Sequence, residues 1–425
     1  MQCLAIEGGH RLSGTLRVHG AKNAALPILA ASVMAVGESV IEDVPDLQDI
    51  RVMTTILRQL GAKVKAEGAT LRIDATRINS TEVPEHLMRL MRSSIFLMGP
   101  ILARFGRVRV SKPGGCTIGS RPIDLHLKGL RALGAVIEEK HGFIECTANR
   151  LRGAKIYLDL PSVGATENLI MAAIFAEGVT VIENAAREPE IVDLANYLNA
   201  MGANVQGAGE ATLIIEGVGR LTAVRYRVIP DRIVAGTLMA AAVVTQGDVL
   251  LQNVDARHLG VVIDKLREAG AEISVYDSAI RVWMVGRPKA ISIQTTYYPG
   301  FPTDLQSPLM TLMSIADGTS MVTESVFEGR FKHVSELRRM GANIKVDLRT
   351  ALIEGGSELT SAVVEASDLR AGAALILAGL AAKGTSYIEN VYHIDRGYEQ
   401  VEEMFAQLGA KIWRVQKDQL ATAFE

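Results

Sequence analysis

The chain has 425 residues, with 45 Lys and Arg against 47 Asp and Glu, a net charge of −2, and 48% hydrophobic content. These values exclude disordered, collagen-like and coiled-coil classes, offer no basic excess for nucleic acid, and favour two or three domains with cores of their own. Aromatics at only 5% beside 39 glycines predict close backbone packing in place of a ring-filled core.

Taken in chain order, the elements repeat. After two short strand-like stretches (CLAIEG and HRLSGTLRVH), the first unit runs from an apolar helix at HGAKNAALPILAASVMAVG to a strand at SVIEDV. An amphipathic helix follows, opening near Gln48 and closing at RQLGA, and then alternating strands over KVKAEGATLRIDA. Five more units follow the same order, with strands RVRVSK, VTVIENA, VLLQNV, SMVTES and SYIENV and helix ends RALGA, NAMGA, REAGA, RRMGA and AQLGA. The glycines of the Gly-Ala pairs stand at 61, 134, 202, 270, 341 and 409, spaced by 73, 68, 68, 71 and 68 residues. A second series, Gly37, Gly106, Gly178, Gly247, Gly318 and Gly384, ends the apolar helices, where a left-handed cap wants no side chain. The apolar helices lack a polar face, so they belong inside, covered by sheet.

The sixth unit stops at KIWRVQKDQLATAFE, and the N-terminal strands are expected to supply what it lacks. This predicts two similar three-unit domains with a cleft between them: residues 22–229, and residues 1–21 together with 230–425. Such a repeat also suits a binding scaffold, so function must come from departures from it.

The helix entrances carry recurring cations. Arg121, Arg187, Arg257, Arg330 and Arg396 precede their Gly-Ala glycine by 13, 15, 13, 11 and 13 residues. Guanidinium matches two oxygens of a phosphate or carboxylate at once. For Arg187 and Arg257 a tie to a neighbouring carboxylate is the expected role, while Arg121, Arg330 and Arg396 point to a ligand. The apolar helices begin with Lys22-Asn23, Arg92, Asp231-Arg232, Asp304, and Asp368 with Arg370. Helix N-termini attract anions, and Asp231 reads as an ordinary cap. Asp304 differs in following Gly300, Phe301 and Pro302, a loop suited to holding a carboxylate over a cleft.

The segment SKPGGCTIGSRPIDLH, 111–126, breaks the repeat, and its unit has the longest gap between glycines, 28 residues. Cys116 therefore sits on a Gly-rich loop near Lys112 and Arg121, a setting for a reactive or acid–base thiol, whereas Cys3 and Cys146 read as buried. Three scattered cysteines and eight histidines show no metal spacing, triad, Rossmann fingerprint or Walker loop. The odd thiol count fits a reducing compartment. MQCLAIEGGHRLSG has no signal-peptide pattern, and the apolar run Ala371 to Ala382 is 12 residues. That is short of the ~20 that span a bilayer. A cytoplasmic protein with no membrane partner is expected.

GAKNAALP, PGGCTIGSRPIDLH, SVGATEN, PDRI, GFPTDLQ, ESVFEGRF, SDLRAGA and YHIDRGYE together resemble the enolpyruvyl transferase family, within it the branch acting on UDP-N-acetylglucosamine. The resemblance implies an inside-out α/β barrel of six βαβαββ repeats in two similar domains. It also implies transfer of the enolpyruvyl group of phosphoenolpyruvate to the 3-hydroxyl of UDP-N-acetylglucosamine, by addition and elimination through a tetrahedral ketal, with phosphate released. That is the first committed step of peptidoglycan synthesis, and so of cell-wall biogenesis, cell shape and division, and it needs no cofactor or metal. On this resemblance Lys22, Asn23, Arg121, Arg330 and Arg396 hold phosphoenolpyruvate. Cys116 is proton donor, site of a covalent adduct and target of fosfomycin, on a loop that closes once the sugar nucleotide has bound. Asp304 takes the hydroxyl proton, and Asp368 and Arg370 support the cationic cluster. Arg92, Arg121, Pro122, Ile123, Asp124, Leu125, Ser162, Val163, Gly164, Asp304 and Val326 line the nucleotide-sugar site. Leu160 stands where some members carry a basic residue. Transfer to shikimate phosphate is the alternative, opposed by PGGC with RPIDLH. An inactive sugar-nucleotide-binding paralogue is another, opposed by the joint presence of Lys22, Cys116, Asp304, Arg330 and Arg396.

Overall fold

All six Gly-Ala pairs end their helices by one device. After helix Gln48–Gln59 the Gly61 amide donates to the Arg58 carbonyl (3.0 Å) and the Ala62 amide to the Leu57 carbonyl (3.0 Å), a Schellman closure. The same two bonds recur at Gly134, Gly202, Gly270, Gly341 and Gly409, and all six glycines have φ between 91° and 106°. Only glycine enters that region without strain, which fixes the repeat at the level of single residues. In the second series five glycines are also left-handed, but Gly247 is not; Gln246 (φ 52°) makes the turn instead. Gly247 is there for space, since a Cβ would stand 2.3 Å from the Leu12 carbonyl oxygen.

The computed structural model describes residues 2–112, 122–356 and 358–417. They divide into two compact units, residues 20–229 and residues 2–19 with 230–417. Each unit holds three small sheets and a hydrophobic core of its own. Within a sheet the strand after the buried helix pairs antiparallel with a hairpin, as Glu38–Glu42 does with Thr70–Asp74, itself paired to Lys63–Glu67. In five of the six sheets the other edge takes a parallel strand from another part of the same compact unit, while Arg107–Ser111 receives only a single parallel bridge, Glu82 to Arg109. Arg225–Arg227 joins Glu38–Glu42, and Lys155–Tyr157 joins Val179–Glu183. In the other compact unit Ile293–Thr295 joins Thr319–Glu324, and Val363–Glu365 joins Thr385–Glu389.

The N-terminal strands are shared between two sheets, where the sequence suggested that both complete the sixth. Gln2–Glu7 lies between Thr385–Glu389 and Lys411–Gln416, supplying the missing hairpin strand. Ser13–Arg17 instead pairs parallel with Asp248–Gln252 of the fourth unit, filling the parallel edge of that sheet.

Helices lie inside these sheets. Arg232–Val244, Gln306–Ile315 and Leu369–Ala381 pack on one another and are almost wholly buried, as are Lys22–Ala31 and Val163–Ala173 in the other unit. Alanine and glycine on these helices let backbones approach, which accounts for the scarcity of rings. Each unit is an inside-out α/β arrangement, with its buried helix N-termini following ordered turns.

Candidate active site

In the unit built mainly from residues 230–417, the site starts from a short turn. Buried Phe301 anchors it, and Pro302 sets the entry to the 3₁₀ turn Thr303–Leu305 that precedes helix Gln306–Ile315. Asp304 stands on this turn and does not cap the helix. Its Oδ1 accepts from Arg330 Nη2 at 2.6 Å and its Oδ2 from Arg370 Nη2 at 2.8 Å. The Arg330 and Arg370 side chains are only 4% and 8% exposed, against 25% for Asp304. One carboxylate thus offsets two buried guanidiniums. Burial opposes the Arg370 charge, but Asp304, Tyr398 and Asp231 more than restore it, holding its proton more firmly than usual. Arg330 Nε is buried with no hydrogen-bond partner among the described residues.

Next to this group stand Asp368 and His333, and Asp368 also acts on His393 together with Arg396. Asp368 caps helix Leu369–Ala381 through the amides of Arg370 (2.9 Å) and Ala371 (3.1 Å), fixing the turn that carries Arg370. His333 is buried, and burial, aided by Arg330 and opposed by Asp368, brings it down to about 4. His393 is lowered by burial and by Arg396, again against Asp368. Both imidazoles are therefore neutral near pH 7, leaving the positive charge on arginines.

Glu324 had no role in the sequence reading. It is fully buried and accepts from Thr295 Oγ1 (2.8 Å), Thr303 Oγ1 (2.9 Å) and the amides of Val326 (2.8 Å) and Phe327 (3.0 Å). It thereby ties the Asp304 turn to the Val326 loop. Of the other recurring cations, Arg257 makes a forked pair with Asp255 and is solvent-exposed, as the structural role requires. Asp231 caps helix Arg232–Val244.

In the unit of residues 20–229, Lys22 opens helix Lys22–Ala31, and its ammonium is 3.1 Å from Asp49, both groups nearly buried. Asn23 beside it is half-buried. Arg92 begins the 3₁₀ segment Arg92–Leu97. Pro122, Ile123, Asp124 and Leu125 lead into helix Asp124–Ala132. Ser162 caps helix Val163–Ala173 through the Ala165 amide (3.3 Å), with Val163 and Gly164 in its first turn. Leu160 is exposed and offers no charge. Cys116 and Arg121 lie outside the described residues. Cys3 and Cys146 are buried free thiols, and burial pushes the Cys146 thiol up to about 12. Among the described residues no group of three or more His, Cys, Asp or Glu is placed to hold a metal ion, and no helix is long and apolar enough to cross a membrane.

Residues 6–405 match the sequence profile of the family described as EPSP synthase (3-phosphoshikimate 1-carboxyvinyltransferase). Two relatives are named UDP-N-acetylglucosamine 1-carboxyvinyltransferase. One, from Caldanaerobacter subterraneus subsp. tengcongensis, is 54% identical over 96% of this chain and 98% of its own. The other, from Carboxydothermus hydrogenoformans, is 55% identical over 98% of this chain and 100% of its own. Among solved structures, the enolpyruvyl transferase NikO from Streptomyces tendae aligns with a TM-score of 0.90 at 27% identity, covering 97% of this chain and 99% of that one. EPSP synthase from Acinetobacter baumannii shares the fold at a TM-score of 0.75 and 20% identity, covering 98% of this chain and 100% of that one.

Proposed function

Because the chain belongs to this carboxyvinyltransferase family, we propose that it transfers the enolpyruvyl group of phosphoenolpyruvate to the 3-hydroxyl of UDP-N-acetylglucosamine, releasing phosphate. The observation that carries the chemistry is Asp304, a carboxylate held between two buried guanidiniums. The relatives supply the acceptor, since the pair named for UDP-N-acetylglucosamine covers nearly the whole chain at more than half identity.

In the addition step a proton reaches the methylene carbon of phosphoenolpyruvate from the Cys116 thiol. The sugar 3-oxygen bonds to the neighbouring carbon as Asp304 takes the hydroxyl proton, giving a tetrahedral ketal. Elimination then returns a proton from the new methyl group to the Cys116 thiolate and breaks the carbon–oxygen bond to phosphate, which leaves with the proton that Asp304 had taken. The cations answer the charge on both substrates. Lys22, Asn23, Arg121, Arg330 and Arg396 hold the phosphate and carboxylate, with Arg330 Nε–H as one available donor. Asp368 and Arg370 keep Asp304 oriented. Arg92, Pro122 to Leu125, Ser162 to Gly164 and Val326 receive the nucleotide sugar. The free thiols of Cys3 and Cys146 agree with work in the cytoplasm, at the entry to peptidoglycan synthesis.

The test is phosphate release from phosphoenolpyruvate, with UDP-N-acetylglucosamine and shikimate 3-phosphate as parallel acceptors. Release is expected with the sugar nucleotide alone. Release with shikimate 3-phosphate alone would reverse the assignment.

A further inference from the structure

We propose that Asn168 is a positioning residue for the nucleotide-sugar half of the site, acting through a His126 side chain that it locks as the neutral tautomer protonated at Nε2. The inference rests on the functional reading above and names the residue that sets the geometry of that half.

Asn168 is an oddity of sequence, a polar residue in the apolar helix Val163–Ala173, and it is 0% exposed. Its side chain links three chain segments. Oδ1 accepts from the Gly99 amide at 2.8 Å, near the start of helix Met98–Phe105, where backbone donors lack partners within the helix. Nδ2 donates to the Ile95 carbonyl at 3.1 Å, in the 3₁₀ segment that begins with Arg92. Nδ2 also lies 3.0 Å from His126 Nδ1, on the helix entered by Pro122 to Leu125. A weaker approach to the Gly164 carbonyl, at 3.4 Å, completes the set. The three stretches assigned to the nucleotide sugar, at Arg92, at Pro122–Leu125 and at Ser162–Gly164, thus share one amide.

The same bonds settle the imidazole. The Gly99 amide can only donate, so the atom facing it is the side-chain oxygen, and the other is the NH₂ group. Two hydrogens on Nδ2 match its two close acceptors, the Ile95 carbonyl and His126 Nδ1. His126 Nδ1 must then present a lone pair, which puts the ring proton on Nε2. The ring packs closely on Gly164, where a Cβ would stand 3.3 Å from His126 Cε1 and 3.4 Å from Nε2. Losing the amide would leave buried donors and acceptors unmatched and free all three segments together.

Two measurements test this on the full chain. In ¹⁵N-histidine-labelled protein, the His126 ring, assigned by its loss in His126→Gln, should show an unprotonated Nδ1 and a protonated Nε2. A protonated Nδ1 overturns the lock. In the activity assay, Asn168→Asp keeps an acceptor for Gly99 but removes both donors. It should raise KM for UDP-N-acetylglucosamine about 10- to 100-fold and leave kcat and KM for phosphoenolpyruvate within about threefold. Unchanged KM values with a smaller active fraction would reduce Asn168 to packing and overturn the positioning role. Should that variant fail to fold, His126→Asn, which keeps an acceptor toward Asn168, is expected to hold KM near wild type where His126→Leu raises it. Equal KM values in the two would also overturn the role. A wild-type chain that never turns over the sugar nucleotide would overturn the functional reading and the assignment to that half, while the ring shifts still decide the lock.

Discussion

Replacing Asp304 with alanine removes the carboxylate that offsets Arg330 and Arg370. Each charge-assisted hydrogen bond of this kind is worth about 1.5–3 kcal/mol. The two arginine side chains are 4% and 8% exposed, so water replaces the lost oxygens poorly, although the 25% exposure of Asp304 lets some enter. The expected net loss is about 3 kcal/mol, at the low end for a buried pair broken from one side. For a domain of about 200 residues this lowers the thermal midpoint by roughly 6–12 °C, read by scanning calorimetry. Asp304→Asn keeps one acceptor oxygen and should lose about half as much. Inorganic phosphate should raise the midpoint of Asp304→Ala more than that of the wild type, because it supplies the missing negative charge. An alanine variant as stable as wild type, or phosphate raising both equally, would refute the reasoning.

Three further outcomes are expected. The folded pKa of His333, about 4, lies below its unfolded 6.5, so the unfolded chain binds the extra proton between those values. Stability is then lost as pH falls through that window, by about 3 kcal/mol in total, and His333→Gln should flatten the acid side of a denaturant-midpoint profile; identical profiles would contradict it. Glu167 is fully buried, with neither carboxylate oxygen hydrogen-bonded among the described residues, and its pKa is raised by burial and then by Glu190 and Glu188. Its contribution to stability is present below the usual carboxyl range and is lost as pH rises toward the raised value, so Glu167→Gln should gain more over wild type at neutral than at acid pH, with equal gains counting against the argument. Cys116→Ser should lose activity and Cys116→Asp should keep it while resisting fosfomycin, whereas Cys146→Ser, at a buried site with its thiol pushed up to about 12, should remain active and sensitive.

What was legible in the sequence was what is local. A Schellman closure involves six consecutive residues, so Gly61-Ala62 and its five counterparts announce helix ends without knowledge of the fold. The buried helices announced themselves by lacking a polar face. Gly247 misled because its reason is tertiary: the Leu12 carbonyl that excludes a Cβ lies far away in sequence. Ser13–Arg17 misled for the same cause, since the parallel edge of the fourth unit's sheet is filled only in the assembled unit. Asp304 stood out by its loop, but its two arginine partners are 26 and 66 residues downstream. Glu324 and Asn168 gave weaker signals. Each is a polar side chain in an apolar setting whose role comes only from long-range partners.

The central claim is tested most directly by the product. With phosphoenolpyruvate carrying ¹³C in its three-carbon unit and UDP-N-acetylglucosamine as acceptor, the labelled carboxyvinyl group should appear in ether linkage at the sugar 3-oxygen, with inorganic phosphate released in equal amount. Unlabelled sugar nucleotide with intact phosphoenolpyruvate, or label at any other oxygen, would contradict the account.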